Sequence, residues 1–288
     1  MLGYHANMAV AVAHATPYLA GDDEALKEFT YAAGRLGVRQ ELYTVLFNRS
    51  GVLAKNRRQW FQYLRDHGGK RAFLAVLPKQ ADYWEIPFNH AFTGNHNWAV
   101  CIETEDRPNY WHLRINSSYS ANPSEEQVET GREIPSPRPG EERIELHWGL
   151  FLADREHVFV RGKLAACEQQ LNTLLTDLIL FCAENELEEW RSVFVRSLSI
   201  LESKIDLPIM EMGRYFPSRG YSPRVQRLLY SALGADVLGG MDSWNDQYFQ
   251  NQEVKARFDA LSSRIGPAVV EAIVVALDQF EPSSGVTL

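Results

Sequence analysis

The sequence has few cysteines and no long apolar run. The three cysteines, Cys101, Cys167 and Cys182, are odd in number and widely spaced. This pattern argues against a disulfide framework and predicts a reducing, cytoplasmic compartment. No apolar stretch reaches the roughly 18 residues that cross a bilayer. Residues 1–19 lack the basic start of a signal peptide, so we expect them to form a helix or strand of the fold.

The short motifs of common enzyme chemistries are also absent. The sequence contains no glycine-rich nucleotide loop, no Gly-x-Ser-x-Gly elbow and no His-Glu-x-x-His zinc motif. The catalytic candidates that remain are His90, His96, Cys101 and His112. A Cys–His pair could serve nucleophilic catalysis, but Cys101 stands between two branched apolar residues, as a packed core thiol would. The histidines lack the helical spacing or cysteine pairs of a specific zinc site, so we predict no metal and no cofactor.

Charge is unevenly distributed along the chain, whose net charge is −8. Residues 1–163 contain 19 basic and 20 acidic side chains, whereas residues 164–288 contain 10 basic and 17 acidic ones. An acidic half repels phosphates and argues against nucleic acid as a partner. Two interpretations stay open: a surface that attracts a basic protein, or an ordinary soluble surface.

One basic segment, in contrast, favours a nucleic-acid partner. Lys55, Arg57 and Arg58 precede Trp60 and Phe61, a mixture of charge and aromatic rings that is typical of nucleic-acid contacts. The alternative is a helix with its aromatic side in the core and its basic side in water. The acidity of the whole chain favours this alternative.

Periodicity divides the chain near residue 162. Helical patterns at 24–36, 41–47 and 52–64 precede short, alternating apolar runs that predict strands at 71–77, 83–88, 97–105, 110–116, 143–152 and 157–161. The polar, proline-rich segment 117–142 is typical of a long mobile loop. Helical spacing returns at 164–182 and 186–204, in a helix opened by Ser222-Pro223, and in one or two helices over 254–263 and 267–280.

These patterns predict an α+β fold with an antiparallel sheet, N-terminal helices and a C-terminal helical bundle. The sheet should have about five or six strands. We assign residues 1–162 to an α+β domain and residues 163–288 to a helical domain, and the two could pack as one unit.

The most unusual segment is 239–246, which reads Gly-Gly-Met-Asp-Ser-Trp-Asn-Asp. Helices and strands avoid such a string, so it indicates a tight turn or a recognition loop. We expect the two glycines to end the preceding helix, and Met241 and Trp244 to pack on the bundle. Ser243, Asn245 and Asp246 could then cap a segment that begins near Gln247.

The same segment resembles the signature Gly-Gly-Met-Gly-Ser-Phe/Trp-Asn-Asp of a group of small bacterial proteins. These proteins are often encoded beside secreted toxins and are regarded as immunity proteins. An upstream helix with a tryptophan, here at Trp190, belongs to the same pattern, so the resemblance covers residues 185–250. It departs at Asp242, where the signature has glycine; aspartate is among the residues that tolerate a positive φ.

The resemblance implies a non-catalytic, cytoplasmic protein that neutralises a cognate protein toxin by direct contact, and the acidic C-terminal half favours a basic toxin. The residues of the motif that would contact the partner, or only form the turn, are Met241, Asp242, Ser243, Trp244, Asn245 and Asp246. The alternatives are an enzyme with its site on the sheet and a nucleic-acid-associated module. The oligomeric state is left open.

Overall fold

A computed structural model describes residues 4–28, 38–45, 48–77, 97–106, 108–119, 142–152, 162–206, 216, 220–238 and 243–281. The helices are α1 (Tyr4–Leu19), α2 (Arg57–Asp66), α3 (Leu164–Glu184), α4 (Glu188–Leu201), α5 (Pro223–Gly234) and α6 (Gln252–Asp278). The strands are β1 (Val38–Val45), β2 (Asn48–Ala54), β3 (Arg71–Leu77), β4 (Asn97–Glu103), β5 (Asn109–Tyr119) and β6 (Glu142–Leu152). Residues 24–28 are helical as well. The α+β class is confirmed.

The six strands form one sheet in the order β2-β1-β6-β5-β4-β3. Its pairings are antiparallel, as expected, except that β1 runs parallel to β6, with Val38 opposite Ile144 and Val45 opposite Leu150. A parallel pair needs a long connection. The chain between residues 45 and 142 provides one, because it contains α2 and the four other strands of the sheet.

The structure corrects the prediction of helices at 41–47 and 52–64. Residues 38–45 form β1, residues 48–54 form β2, and the helix begins only at Arg57. Asn56 caps that helix, since its side chain accepts a hydrogen bond from the backbone N–H of Gln59 at 3.0 Å. A short apolar run suits a helix or a strand, and here the pairing of β1 with β6 decides for the strand. The predicted loop 117–142 is shorter than expected, because residues 117–119 belong to β5 and residue 142 begins β6, where the two strands pair. The rest of that loop, the predicted strands 83–88 and 157–161 and the helix beyond residue 28 lie outside the described residues.

Helix α1 lies at the centre of the molecule. Its side chains from Ala6 to Tyr18 are buried almost without interruption, as in a helix that is apolar on every side. It packs on β3 and β4 of the sheet, on α2 and on α6. Thr16 donates a hydrogen bond from Oγ1 to the carbonyl oxygen of Ala72 at 2.9 Å. One apolar core therefore extends from the sheet into the C-terminal bundle.

The C-terminal half is a bundle of α3, α4, α5 and α6, which confirms the predicted helices. The patterns at 254–263 and 267–280 belong to a single helix, α6, with Pro267 inside it. By length and mean hydropathy α6 could cross a membrane, but 61% of its apolar window is buried inside the protein, as in a core helix. Arg71 on β3 joins sheet and bundle by an ion pair with Asp278 at the end of α6, with Nη2 and Oδ1 3.0 Å apart.

Candidate functional site

The described part of the unusual segment forms a single turn of 3-10 helix, Trp244–Asp246, with Ser243 as its N-cap. The backbone N–H of Ser243 donates to Oδ2 of Asp246 at 2.9 Å, and the Ser243 hydroxyl lies 3.4 Å from the same oxygen. The backbone N–H of Trp244 donates to the carbonyl oxygen of Val237 at 3.2 Å. The first of these bonds is the half of a capping box in which the side chain of Asp246 accepts from the N-cap backbone, so Ser243 and Asp246 hold the shape of the turn.

Trp244 anchors this turn in the core. Its side chain is fully buried, and its indole Nε1 donates to Oγ of Ser262 on α6 at 2.7 Å. Four aromatic rings from α3, α4 and α6 surround it, with centroids 4.9–6.3 Å away: Phe181, Trp190, Phe194 and Phe258. Several of these contacts are edge-on, the arrangement that aromatic quadrupoles favour. The prediction that Trp244 packs back on the bundle is confirmed.

The flanking helices do not end and begin where the sequence suggested. Helix α5 ends at Gly234, and the backbone N–H of Ala235 bonds to carbonyls of its last turn. The glycines at 239 and 240 therefore do not end this helix, because the chain leaves it earlier to pair Val237 with Trp244. Helix α6 begins at Gln252, where the side chain of Asn251 accepts from two backbone N–H groups. Residues 239–242, including Met241 and Asp242, lie outside the described residues.

The outward side of the turn is polar and aromatic. Asn245 and Asp246 are exposed, and Tyr248 is 84% exposed, which is unusual for so large an apolar ring. The next residue, Phe249, packs inward, with ring centroids 5.7 Å from Phe181 and 5.1 Å from Phe258. The inward anchor of Phe249 keeps Tyr248 at the surface. Sequence reasoning missed Tyr248, and the adjacent Tyr-Phe pair after the motif was the available signal.

Exposed carboxylates lie on the elements that hold the turn. We call Glu186, Glu189, Asp246 and Glu253 the acidic edge; all four are exposed. Glu189 directly precedes Trp190, whose ring centroid is 5.8 Å from that of Trp244. Glu253 lies in the first turn of α6, close in sequence to Tyr248. Asp246 and Glu253 are the carboxylates of this edge that lie closest to Tyr248 along the chain, and the basic residues that follow on α6 are held in ion pairs.

The structure weighs against a catalytic site at Cys101. This residue lies on β4, is 1% exposed and pairs with Tyr110 on β5. Burial raises the pKa of its thiol to about 12, and the described side chains that influence it are Tyr110 and Glu103 rather than a histidine. The thiolate is the nucleophilic form, so this thiol is unreactive near neutral pH.

Of the three histidines in that hypothesis, the structure describes only the backbone of His112. His112 lies on β5, where its backbone is opposite Gly149 of β6, and its side chain lies outside the described residues. His90 and His96 also lie outside them. Within the described ranges, no group of three or more His, Cys, Asp or Glu side chains could hold a metal ion.

The basic segment at the start of α2 does not present a nucleic-acid surface of the expected kind. Trp60 and Phe61 are fully buried, and Trp60 stacks on Trp148 of the sheet with ring centroids 5.3 Å apart. Arg57 is buried too, so of the three basic residues only Lys55 and Arg58 are exposed. Base stacking needs accessible rings, and here the aromatic side of the helix is core.

No family model matches this chain, and no curated protein or solved structure is significantly similar to it. The likeness of residues 239–246 to the immunity-type signature therefore stands as a resemblance of that segment. What the structure adds is its geometry: a turn held from inside by Trp244, with Asn245, Asp246 and Tyr248 on its outer side.

Proposed function

We propose that this protein is a cytoplasmic immunity-type protein, which binds a cognate bacterial toxin and neutralises it by direct contact. One observation carries the proposal: Tyr248 is 84% exposed beside a turn that Trp244 holds in the core. The resemblance of residues 239–246 to the immunity-type signature supports it. The three free, buried cysteines fit a reducing compartment.

A rigid turn with an exposed tyrosine suits protein recognition for a physical reason. Association costs the conformational freedom of the groups that it immobilises. The hydrogen bond from Ser243 to Asp246 and the burial of Trp244 have already immobilised the turn. Tyrosine is enriched among the residues that dominate binding energy, because its ring buries a large area and few torsions are lost.

The charge of the acidic edge indicates which charge the proposed partner should carry. The exposed carboxylates of this edge, Glu186, Glu189, Asp246 and Glu253, lie on the turn, at the start of α6 and at the junction of α3 and α4, and we assign them to the negative side of the proposed interface. Complementary charge speeds diffusional encounter and selects among partners. The partner surface that fits is basic, as on a toxin that acts on nucleic acid or another anionic substrate. Neutralisation would follow if the complex covers the toxin's active site or its substrate-binding surface.

The direct test uses the product of the adjacent reading frame as the toxin. We expect it to co-purify with this chain, and co-expression to restore growth of cells that make the toxin. Tyr248→Ala should weaken binding by at least about tenfold, the effect of losing an interface residue that contributes more than about 1.4 kcal/mol. Val52→Ala is the matched control, because Val52 is an exposed apolar residue on β2. Equal binding by both variants would remove Tyr248 from the interface.

Charge reversal tests the electrostatic part of the proposal separately. Glu189→Lys and Glu253→Lys should each slow association at low salt, and the difference should shrink as salt screens the charges. Glu105→Lys reverses a comparably exposed carboxylate on the sheet side and should leave the rate unchanged. An association rate of the unaltered protein that does not depend on salt would contradict steering by the acidic edge.

A further inference from the structure

A concave surface, separate from the Trp244 turn, lies on the bundle where α3, α4 and α5 meet. It is a shallow pocket of about 470 Å³ that opens widely to solvent, and its polar lining consists of Glu168, Gln169, Asn172, Ser203, Arg224 and Arg227. Small-molecule sites have volumes of about 300–1,000 Å³, so this pocket is large enough for a metabolite. Along α3, the lining of the pocket reaches as far as Asn172, whereas Trp244 packs against Phe181 further along the same helix. At the rise of an α-helix this separates the pocket from the Trp244 turn by roughly 13 Å.

Two of the charges that line the pocket neutralise each other. The guanidinium of Arg224 donates from Nε to Oε1 of Glu168 at 2.8 Å, and from Nη2 to the other carboxylate oxygen. The two groups form a forked pair, and Glu168 raises the pKa of Arg224. Neither is left with an uncompensated charge.

Arg227 supplies the charge that remains. It follows Arg224 by three residues on α5, so both side chains lie on the same side of that helix. Its Nε is buried and has no hydrogen-bond partner among the described residues. A buried donor without a partner is costly. Because Nε itself is closed to solvent, an anion in the pocket would meet the terminal Nη1 and Nη2 of this partly exposed side chain, which can donate to two oxygens of one anionic group.

We propose that this pocket binds a small molecule through a carboxylate or phosphate group held by Arg227. Gln169 and Ser203 can donate further hydrogen bonds from the lining. The N-terminal end of α5, where Arg224 lies, adds the positive end of a helix dipole. The charged side chains of the lining, Glu168, Arg224 and Arg227, sum to one positive charge, and Glu202, which accepts a hydrogen bond from Asn172, is paired with Lys204. This inference does not depend on the proposed binding of a toxin.

Isothermal titration of the full chain with inorganic phosphate, and separately with malonate, tests the proposal at an ionic strength held constant with KCl. We expect saturable binding of at least one anion. Arg227→Ala should weaken it by at least about tenfold, as expected for loss of a charge-assisted forked contact. Arg196→Ala is the matched control, because Arg196 is an exposed arginine of α4 outside the pocket lining, and binding should stay within about twofold.

A second variant covers the case in which Arg227→Ala does not fold. Gln169 is exposed on α3, so Gln169→Glu places a carboxylate at the rim without disturbing the core, and it should abolish binding by repulsion. Binding of phosphate alone or of malonate alone would assign the anionic group to one chemical class. The proposal is overturned if neither anion binds saturably, if Gln169→Glu binds normally, or if Arg196→Ala weakens binding as much as Arg227→Ala.

Discussion

Replacement of Trp244 tests whether the turn is anchored from inside. In Trp244→Ala, the protein loses a fully buried indole, its contacts with four aromatic rings and its hydrogen bond to Ser262. Truncation of a buried tryptophan to alanine costs about 3–5 kcal/mol. Domains have total stabilities of about 5–15 kcal/mol, so this change removes a large share of the free energy of unfolding.

The variant Trp244→Phe separates the two contributions. A phenyl ring keeps part of the aromatic packing but cannot donate to Ser262, which is 2.7 Å from the indole nitrogen in the structure. We expect a cost of about 1–3 kcal/mol, from the lost hydrogen bond and a small cavity. The order of stability should be unaltered protein, then Trp244→Phe, then Trp244→Ala.

Guanidinium unfolding followed by far-UV circular dichroism measures these differences, and it avoids the overlapping fluorescence of the seven tryptophans. Tyr248→Ala is the control, because its side chain is 84% exposed and the change should stay within about 0.5 kcal/mol. The reasoning fails if Trp244→Ala costs less than about 1 kcal/mol, or no more than Tyr248→Ala.

Three further predictions concern stability. Gly220 and Gly68 both have positive φ, 76° and 72°, but only at Gly220 would an added Cβ collide with a neighbour, a ring carbon of Phe280 at 2.1 Å. Gly220→Ala should therefore lower the free energy of unfolding by clearly more than the roughly 1–2 kcal/mol expected for Gly68→Ala. Equal losses for the two variants in chemical unfolding would refute the contact with Phe280. Burial raises the pKa of Cys101 from 9.0 to about 12, so its thiol is neutral in both states below pH 9, and the folded state loses stability between about pH 9 and 12 as the unfolded thiol ionises. Between about pH 9 and 12 the unfolding midpoint should fall less steeply with pH in Cys101→Ala than in the unaltered protein. The same slope in both proteins would contradict a raised pKa of the Cys101 thiol. Asp246→Ala removes the hydrogen bond from the Ser243 backbone and should cost about 0.5–2 kcal/mol in thermal unfolding, whereas an unchanged midpoint would mean that this bond contributes nothing.

Long amphipathic patterns were the most predictable part of the fold. The stripe through Cys167, Leu171, Leu178 and Cys182 predicted α3, and all four side chains are buried. Over about 20 residues a helical stripe has no alternative with the same buried face. The strands β1 and β2 were missed because their apolar runs are short, and because β1, which pairs with β2, also needs β6, a strand that lies far along the chain. Pairing at that distance leaves no local signal.

Only the buried side of the candidate site could be predicted from the sequence. Ser243, Trp244 and Asp246 suggested a capped turn with a packed indole, because capping residues and a large ring leave a local signature. The exposure of Tyr248 depends on Phe249, which takes the inward position against α3 and α6. The pocket beside Arg227 depends on three helices that meet, so no stretch of sequence describes it.

The sequence by itself determined the α+β class, the helical C-terminal half and the turn at residues 243–246, because periodicity and capping act between near neighbours. Tertiary structure decided the parallel pairing of β1 with β6, the burial of α1 between sheet and bundle, and the exposure of Tyr248. It also left Arg227 with a donor unpaired among the described residues. Each of these features depends on which surfaces, far apart in the sequence, pack together and exclude water, and that packing involves the whole chain.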